Sequence, residues 1–225
     1  MNLKTNNYFV EEFKKYDDSD ERYRLANQLL YKIVKDYPDN TDAHHIVTKF
    51  WILDRTYAAA IERRNNKADT PGDFYYEYVA PAIADSELDK NISDIKKKHK
   101  ELTDEALRDV LSLHGYLVKL IKGITKKEKR SLASKYLHFH LPELVLIYDS
   151  RVASVIGKFI NGRTNGLKIE KDWDKVYAIF AYKAYEIYKT LKKERYASKA
   201  DTLTRVVDTF LLRYCDEHNV EGQAE

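Results

Sequence analysis

Apolar residues recur along this chain at three- and four-residue intervals, the period of helices with one buried face. Residues 19–37 read as such a helix, with Ser19 or Asp20 as cap and Tyr23, Ala26, Leu29, Leu30 and Ile33 on one side. Pro38-Asp39-Asn40 breaks it, and Thr41 or Asp42 then caps a long helix carrying Ile46, Phe50, Leu53, Tyr57 and Ile61. Asp69-Thr70-Pro71-Gly72 predicts a turn. Residues 74–84 form an aromatic helix that Pro81 must kink or end. Residues 96–100 read as a solvated basic stretch, and 103–121 as a strong helix opened by Thr103 and stopped by Gly123. A further helix over 131–140 ends at Leu141-Pro142. Residues 144–148 are a short apolar extended run, and Asp149-Ser150 starts a helix through Ile160. A loop over 161–166 precedes a Tyr-rich helix over 173–193. The last helix, 202–214, places Leu203, Val206, Val207, Phe210 and Leu211 on its apolar side.

The pattern is therefore all-α, and composition agrees. Only 7 Gly and 4 Pro in 225 residues leave little material for the turns of a β fold. With 44% hydrophobic and 33% charged residues, the chain is ordinary globular material rather than a disordered one. Its apolar runs fall short of the roughly 20 residues of a membrane span. The first seven residues show no apolar segment of a secretory signal. One cysteine, Cys215, excludes an intramolecular disulfide framework and a multi-Cys zinc site. The expectation is a cytoplasmic protein without a cofactor.

Net charge is only +3, yet Lys119, Lys122, Lys126, Lys127, Lys129, Arg130 and Lys135 stand against the single acid Glu128 in one stretch. Such a local run suits a polyanion, or else a solvated helix end. No metal is expected: His138 and His140 would point about 200° apart on a helix, and the adjacent His44 and His45 diverge likewise.

The stretch from Arg130 to Asp149, continuing Ser150-Arg151-Val152, runs as basic turn, helix, proline turn, extended piece, Asp, helix. It resembles the catalytic core of the helix–hairpin–helix DNA glycosylase superfamily. Ser131 lies 18 residues before Asp149, where adenine-type and thymine-glycol-type members place a pocket residue and their catalytic Asp. Ile147-Tyr148-Asp149 also resembles their approach to it. Trp51 to Tyr57, Ala133 to His140 with Ile147 to Ser150, and Val207 to Leu212 are similar to landmarks of a bacterial family grouped with 8-oxoguanine glycosylase-like enzymes. Members of that family linked to phage defence remove hypermodified bases from phage DNA.

The resemblance implies a two-lobed helical fold, with lobes near 1–100 and 101–225, a cleft between them and a catalytic segment at 126–160. It implies a monofunctional DNA glycosylase that flips out and excises a modified base. Asp149 would stabilise the oxocarbenium-like sugar or activate water. Ser131, Tyr136, His138 and Tyr148 would border the base, with Trp51 and Tyr57 supporting from the other lobe. Lys126, Lys127, Lys129, Arg130 and Arg151 would meet phosphate. Ser131 stands where bifunctional members have a nucleophilic Lys, and Lys135, one turn on, is the candidate substitute. The Gly-x-Gly turn of the superfamily is missing, since Lys126 to Arg130 occupies its place. Plain alternatives accompany these roles. Asp149 is also a good helix N-cap, and His138 also reads as a satisfied core histidine. The whole chain would also suit a catalytically inactive DNA-binding module or a helical interaction protein.

Overall fold

In the computed structural model, which describes residues 3–16, 24–57, 74–164, 167–196 and 202–221, the chain is all-α apart from one pair of two-residue strands. Strand β1 (Lys4–Thr5) pairs antiparallel with β2 (Ile160–Asn161), Lys4 opposite Asn161 and Thr5 opposite Ile160. That pairing ties the beginning of the chain to its last third. Helix α1 (Asn7–Phe13) continues the tie: the Asn6 side chain accepts from Phe9 N–H at 3.0 Å and donates to the Lys158 carbonyl at 2.7 Å. Its aromatic face then joins Phe159, Phe210 and Tyr214 in a cluster of stacked and edge-on rings.

Helices α2 (Arg24–Asp36) and α3 (Ala43–Tyr57) form a hairpin. The side chain of Asp42 accepts from His45 N–H at 3.1 Å, as the capping pattern predicts. Ser19, Asp20, Tyr23, Ile61 and the turn at 69–72 lie outside the described residues. Leu29, expected inside, is exposed, while Leu30 and Val34 are buried. The helix does not end at Pro81. A π-helical turn, Tyr75–Val79, leads into α4 (Ala80–Ala84), where Pro81 sits in the first turn and its missing N–H is harmless. Lys96, Lys97 and Lys98 prove to be the last turn of α5 (Leu88–Lys98), where cations favour the helix dipole.

The long α6 (Asp104–Thr125) opens on Thr103, whose side chain accepts from Ala106 N–H at 3.2 Å. Gly123 does not stop it. The end comes at Lys126, which adopts the left-handed conformation (φ 61°) usually left to glycine. Four residues later α7 (Arg130–His140) begins, and from Leu132 to His140 every residue of it is buried. Helix α8 (Ser150–Val155) is shorter than expected, because residues 156–159 tighten into a 3-10 turn before β2. Helices α9 (Lys175–Lys193) and α10 (Leu203–Glu217) complete the fold, and one continuous hydrophobic cluster runs from Leu3 to Cys215. Among the described residues no helix is long and apolar enough to cross a membrane.

Candidate functional site

A helix buried on all sides is expected to be apolar all round, yet α7 carries Ser134, Lys135, His138 and His140 inward. Buried polar groups need partners, and following them leads to a site. His138 Nδ1 donates to the Val145 carbonyl at 2.8 Å, so Nε2 must be the acceptor for the Tyr31 hydroxyl at 2.6 Å. Burial, helped by the charge of Arg205, pushes this imidazole down to about 3 and keeps it neutral. Ser134 Oγ accepts Tyr148 N–H at 2.9 Å, and Tyr177 Oη donates to the Leu146 carbonyl at 2.7 Å. Side chains of α7 and α9 therefore replace a sheet partner for the extended run at 144–148. Pinned in this way, the run delivers Asp149 back to the side of α7.

There Lys135 Nζ donates to Ser131 Oγ at 2.5 Å and lies 3.9 Å from Asp149 Oδ2. The Lys135 side chain is 4% exposed and that of Asp149 is 21%. The ammonium also sits over the ring of Tyr57, 5.4 Å from its centroid. The other oxygen of Asp149 caps α8, accepting Arg151 N–H at 2.9 Å, and meets Arg151 Nε at 3.4 Å. Arg151 continues to Asp216 at 2.9 Å. The cap expected at Asp149 is thus present, and the same carboxylate faces a buried cation.

Two charged residues that the sequence reading did not single out close the site from α10. Arg205 donates to Asp208 Oδ2 and to Tyr57 Oη, both at 2.9 Å, and its guanidinium lies among the rings of Phe139, Tyr57 and Tyr31 at 5.3–6.0 Å. Tyr57 in turn donates to Asn27, which immobilises its ring; burial pushes its phenol up to about 12. Asp208 is buried, which pushes its carboxyl up, while the charges of Arg205 and Lys135 pull it down. A signal was present in the sequence: Arg205 and Asp208 interrupt the apolar side of the last helix, three residues apart, next to Val206, Val207 and Phe210.

The remaining expected site residues scatter. Tyr136 is fully buried between Phe50 and His140, with its hydroxyl donated to Asn40, in a knot that also holds the buried Lys49. Tyr148 packs edge-on against Phe180 at 5.3 Å. Trp51, 52% exposed, touches Tyr75 edge-on at the outer side of α3. In the basic run, Arg130 is held by Glu128 and by both oxygens of Asp174 at 2.9 Å, so it bridges the start of α7 to the N-cap of α9. Lys122 pairs with Glu128 at 2.9 Å, Lys126 is exposed, Lys127 is half-buried and Lys129 is buried.

The described residues also gather His99, Glu105 and Asp109 closely enough to share a metal ion. The ammonium of Lys98 already lies 2.8 Å and 2.9 Å from those two carboxylates, and His99 Nε2 is 2.7 Å from Asp109. That cluster carries its own cation.

No curated protein and no solved structure matches this chain. A family model described as the HI_0787_N N-terminal domain matches residues 5–144, which include Ser131 and Lys135 and stop before Asp149. The match spans well over half of the 225 residues. The chain belongs to the HI_0787_N family.

Proposed function

We propose that this protein is a monofunctional DNA glycosylase acting on a modified base, with Asp149 and Lys135 at its centre. The observation that carries the reading is the approach of Lys135 Nζ to Asp149 Oδ2 in a poorly hydrated setting. Cleaving an N-glycosidic bond builds positive charge on the sugar. A fixed carboxylate nearby lowers that barrier far more where water is sparse than in bulk solvent. Water adds to C1′ as the bond to the base nitrogen breaks, and the bonding electron pair leaves with the base. Asp149 takes the proton from the water, and a proton ends on the base nitrogen, so water is divided between sugar and base. Of this pair, Asp149 has the partial exposure that contact with a substrate needs.

Lys135 favours the hydrolytic outcome over a covalent one. A carboxylate, a hydroxyl oxygen and an aromatic face surround its nitrogen, and each stabilises an ammonium cation, which is not a nucleophile. Lys126 and Lys127 supply the cationic surface beside the site, while Arg130 serves α7 and α9 instead. A panel of duplexes, each carrying one modified base, tests the reading: excision leaves an abasic site that alkali converts to a strand break. Breaks should appear only after alkali, and borohydride should trap no protein on DNA. Failure on every duplex, with salt-dependent binding retained, would favour an inactive DNA-binding module. Absence of binding as well would favour a helical interaction protein.

A further inference from the structure

We propose that Arg205 is a positioning residue, holding Asp208 and Tyr57 so that Lys135 is directed toward Asp149. Its catalytic meaning rests on the function proposed above; its effect on Lys135 does not. Four charges meet here from three directions: Lys135 on α7, Asp149 at the cap of α8, and Arg205 with Asp208 on α10. Buried charges persist only with fixed partners, and Asp208 has two cations within electrostatic reach. Arg205 takes one of its oxygens at 2.9 Å. Lys135 meets Ser131 and Asp149. The second arm of the guanidinium holds Tyr57 Oη at 2.9 Å, and Asn27 holds the same hydroxyl, so the ring face under Lys135 cannot turn.

The guanidinium is costly to keep. Its Nε is buried with no hydrogen-bond partner among the described residues, and three aromatic rings are its remaining surroundings. A packing role alone would be met by an apolar side chain of similar length, without an orphaned donor. The charge is what the site requires.

Among the described groups around Lys135 are Ser131 on its own helix, Tyr57 on α3, Asp149 at the α8 cap and, within electrostatic reach, Asp208 held by Arg205 on α10. Removing the positive charge of Arg205 abolishes a repulsion and leaves the charge of Asp208 to act on Lys135. Both changes hold the lysine proton more tightly. Removing the negative charge of Asp208 does the reverse.

Heteronuclear NMR titration of the Lys135 side chain in the full chain reads this directly, with Lys135→Arg assigning the signal. Arg205→Gln keeps hydrogen-bond donors for Asp208 and Tyr57 but loses the charge, and should raise the Lys135 pKa by about one unit, a tenfold change in proton affinity. Asp208→Asn should lower it by a similar amount. Tyr57→Phe keeps the ring and should leave the titration within about half of that shift, while loosening the ring. Should Arg205→Gln fail to fold, Asp208→Asn still carries the test. On an excised duplex, Arg205→Gln should lower kcat about tenfold with KM little changed. Folded Arg205→Gln and Asp208→Asn variants in which Lys135 titrates as in the parent would overturn the proposal. Opposite shifts in a protein that excises no base would sustain the positioning role and overturn the glycosylase reading alone.

Discussion

Lys135 Nζ reaches Asp149 Oδ2 at 3.9 Å because the intervening run at 144–148 gives its backbone groups to side chains of α7 and α9 rather than to a strand. The carboxylate that caps α8 therefore also serves as counter-charge to a buried lysine. The two roles can be separated by substitution.

Asp149→Asn keeps the cap, since Asn and Asp cap about equally well, so folding stability should change by roughly 1 kcal/mol or less. On the proposed function, the charge that would face a developing oxocarbenium ion is lost, and excision under single turnover should fall about a hundredfold or more. Thermal denaturation beside single-turnover kinetics checks both halves. A folded variant excising at the parental rate would remove Asp149 from the chemistry, and an unfolded one would leave it a structural cap.

The basic run divides into members that face solvent and members held in ion pairs. Exposed Lys126 and half-buried Lys127, each replaced by Ala, should lower the salt-dependence slope of duplex binding by about 0.9 per phosphate contact. Arg130→Ala should instead act on stability, because it removes the cation that joins Glu128 to Asp174 at the α7–α9 junction. Binding isotherms across a salt series, with melting curves alongside, distinguish these. An unchanged slope in the Lys126/Lys127 double variant would place phosphate contact elsewhere.

Three neutral histidines make the fold sensitive to acid. Burial pushes His138 and His140 down to about 3 and His114 to about 4, against an unfolded value near 6.5. Between those values the unfolded chain binds protons that the folded chain refuses. Stability should therefore be full above about pH 6.5 and fall as pH drops toward 4, by up to about 1.4 kcal/mol per pH unit for each histidine. Urea midpoints at pH 7.5, 6 and 5, roughly spanning that window, report the slope. A flat profile would mean these imidazoles accept protons in place.

Two glycines of α6 should respond oppositely to alanine. A Cβ on Gly115 would lie 2.0 Å from the carbonyl oxygen of Asp172, a backbone atom that cannot step aside, so Gly115→Ala should destabilise by about 1–3 kcal/mol or more. Gly123 has nothing within 4 Å of that position and lies within the helix, so Gly123→Ala should stabilise by roughly 0.5–1 kcal/mol. Chemical denaturation of the pair tests how closely α6 passes the start of α9.

What the sequence determined by itself is the local part of this protein. Most of the helical periods, the caps at Thr103 and Asp149, and the alignment of Ser131 with Lys135 depend on residues two to four apart, and these stand in the structure. Tertiary structure decided what those elements face. Arg130 read as a phosphate ligand until Asp174, from another helix, engaged it, and Tyr136 read as a pocket aromatic until Asn40 claimed its hydroxyl. Helix α6 ran past Gly123 because helical Gly costs only about 1 kcal/mol, which packing of the buried face outweighs. Arg205 and Tyr57, 148 residues apart, meet only once α3 and α10 have packed on α7. Periodicity carries which face of a helix is buried; the partner of a buried charge depends on contacts between distant segments, which no local pattern encodes.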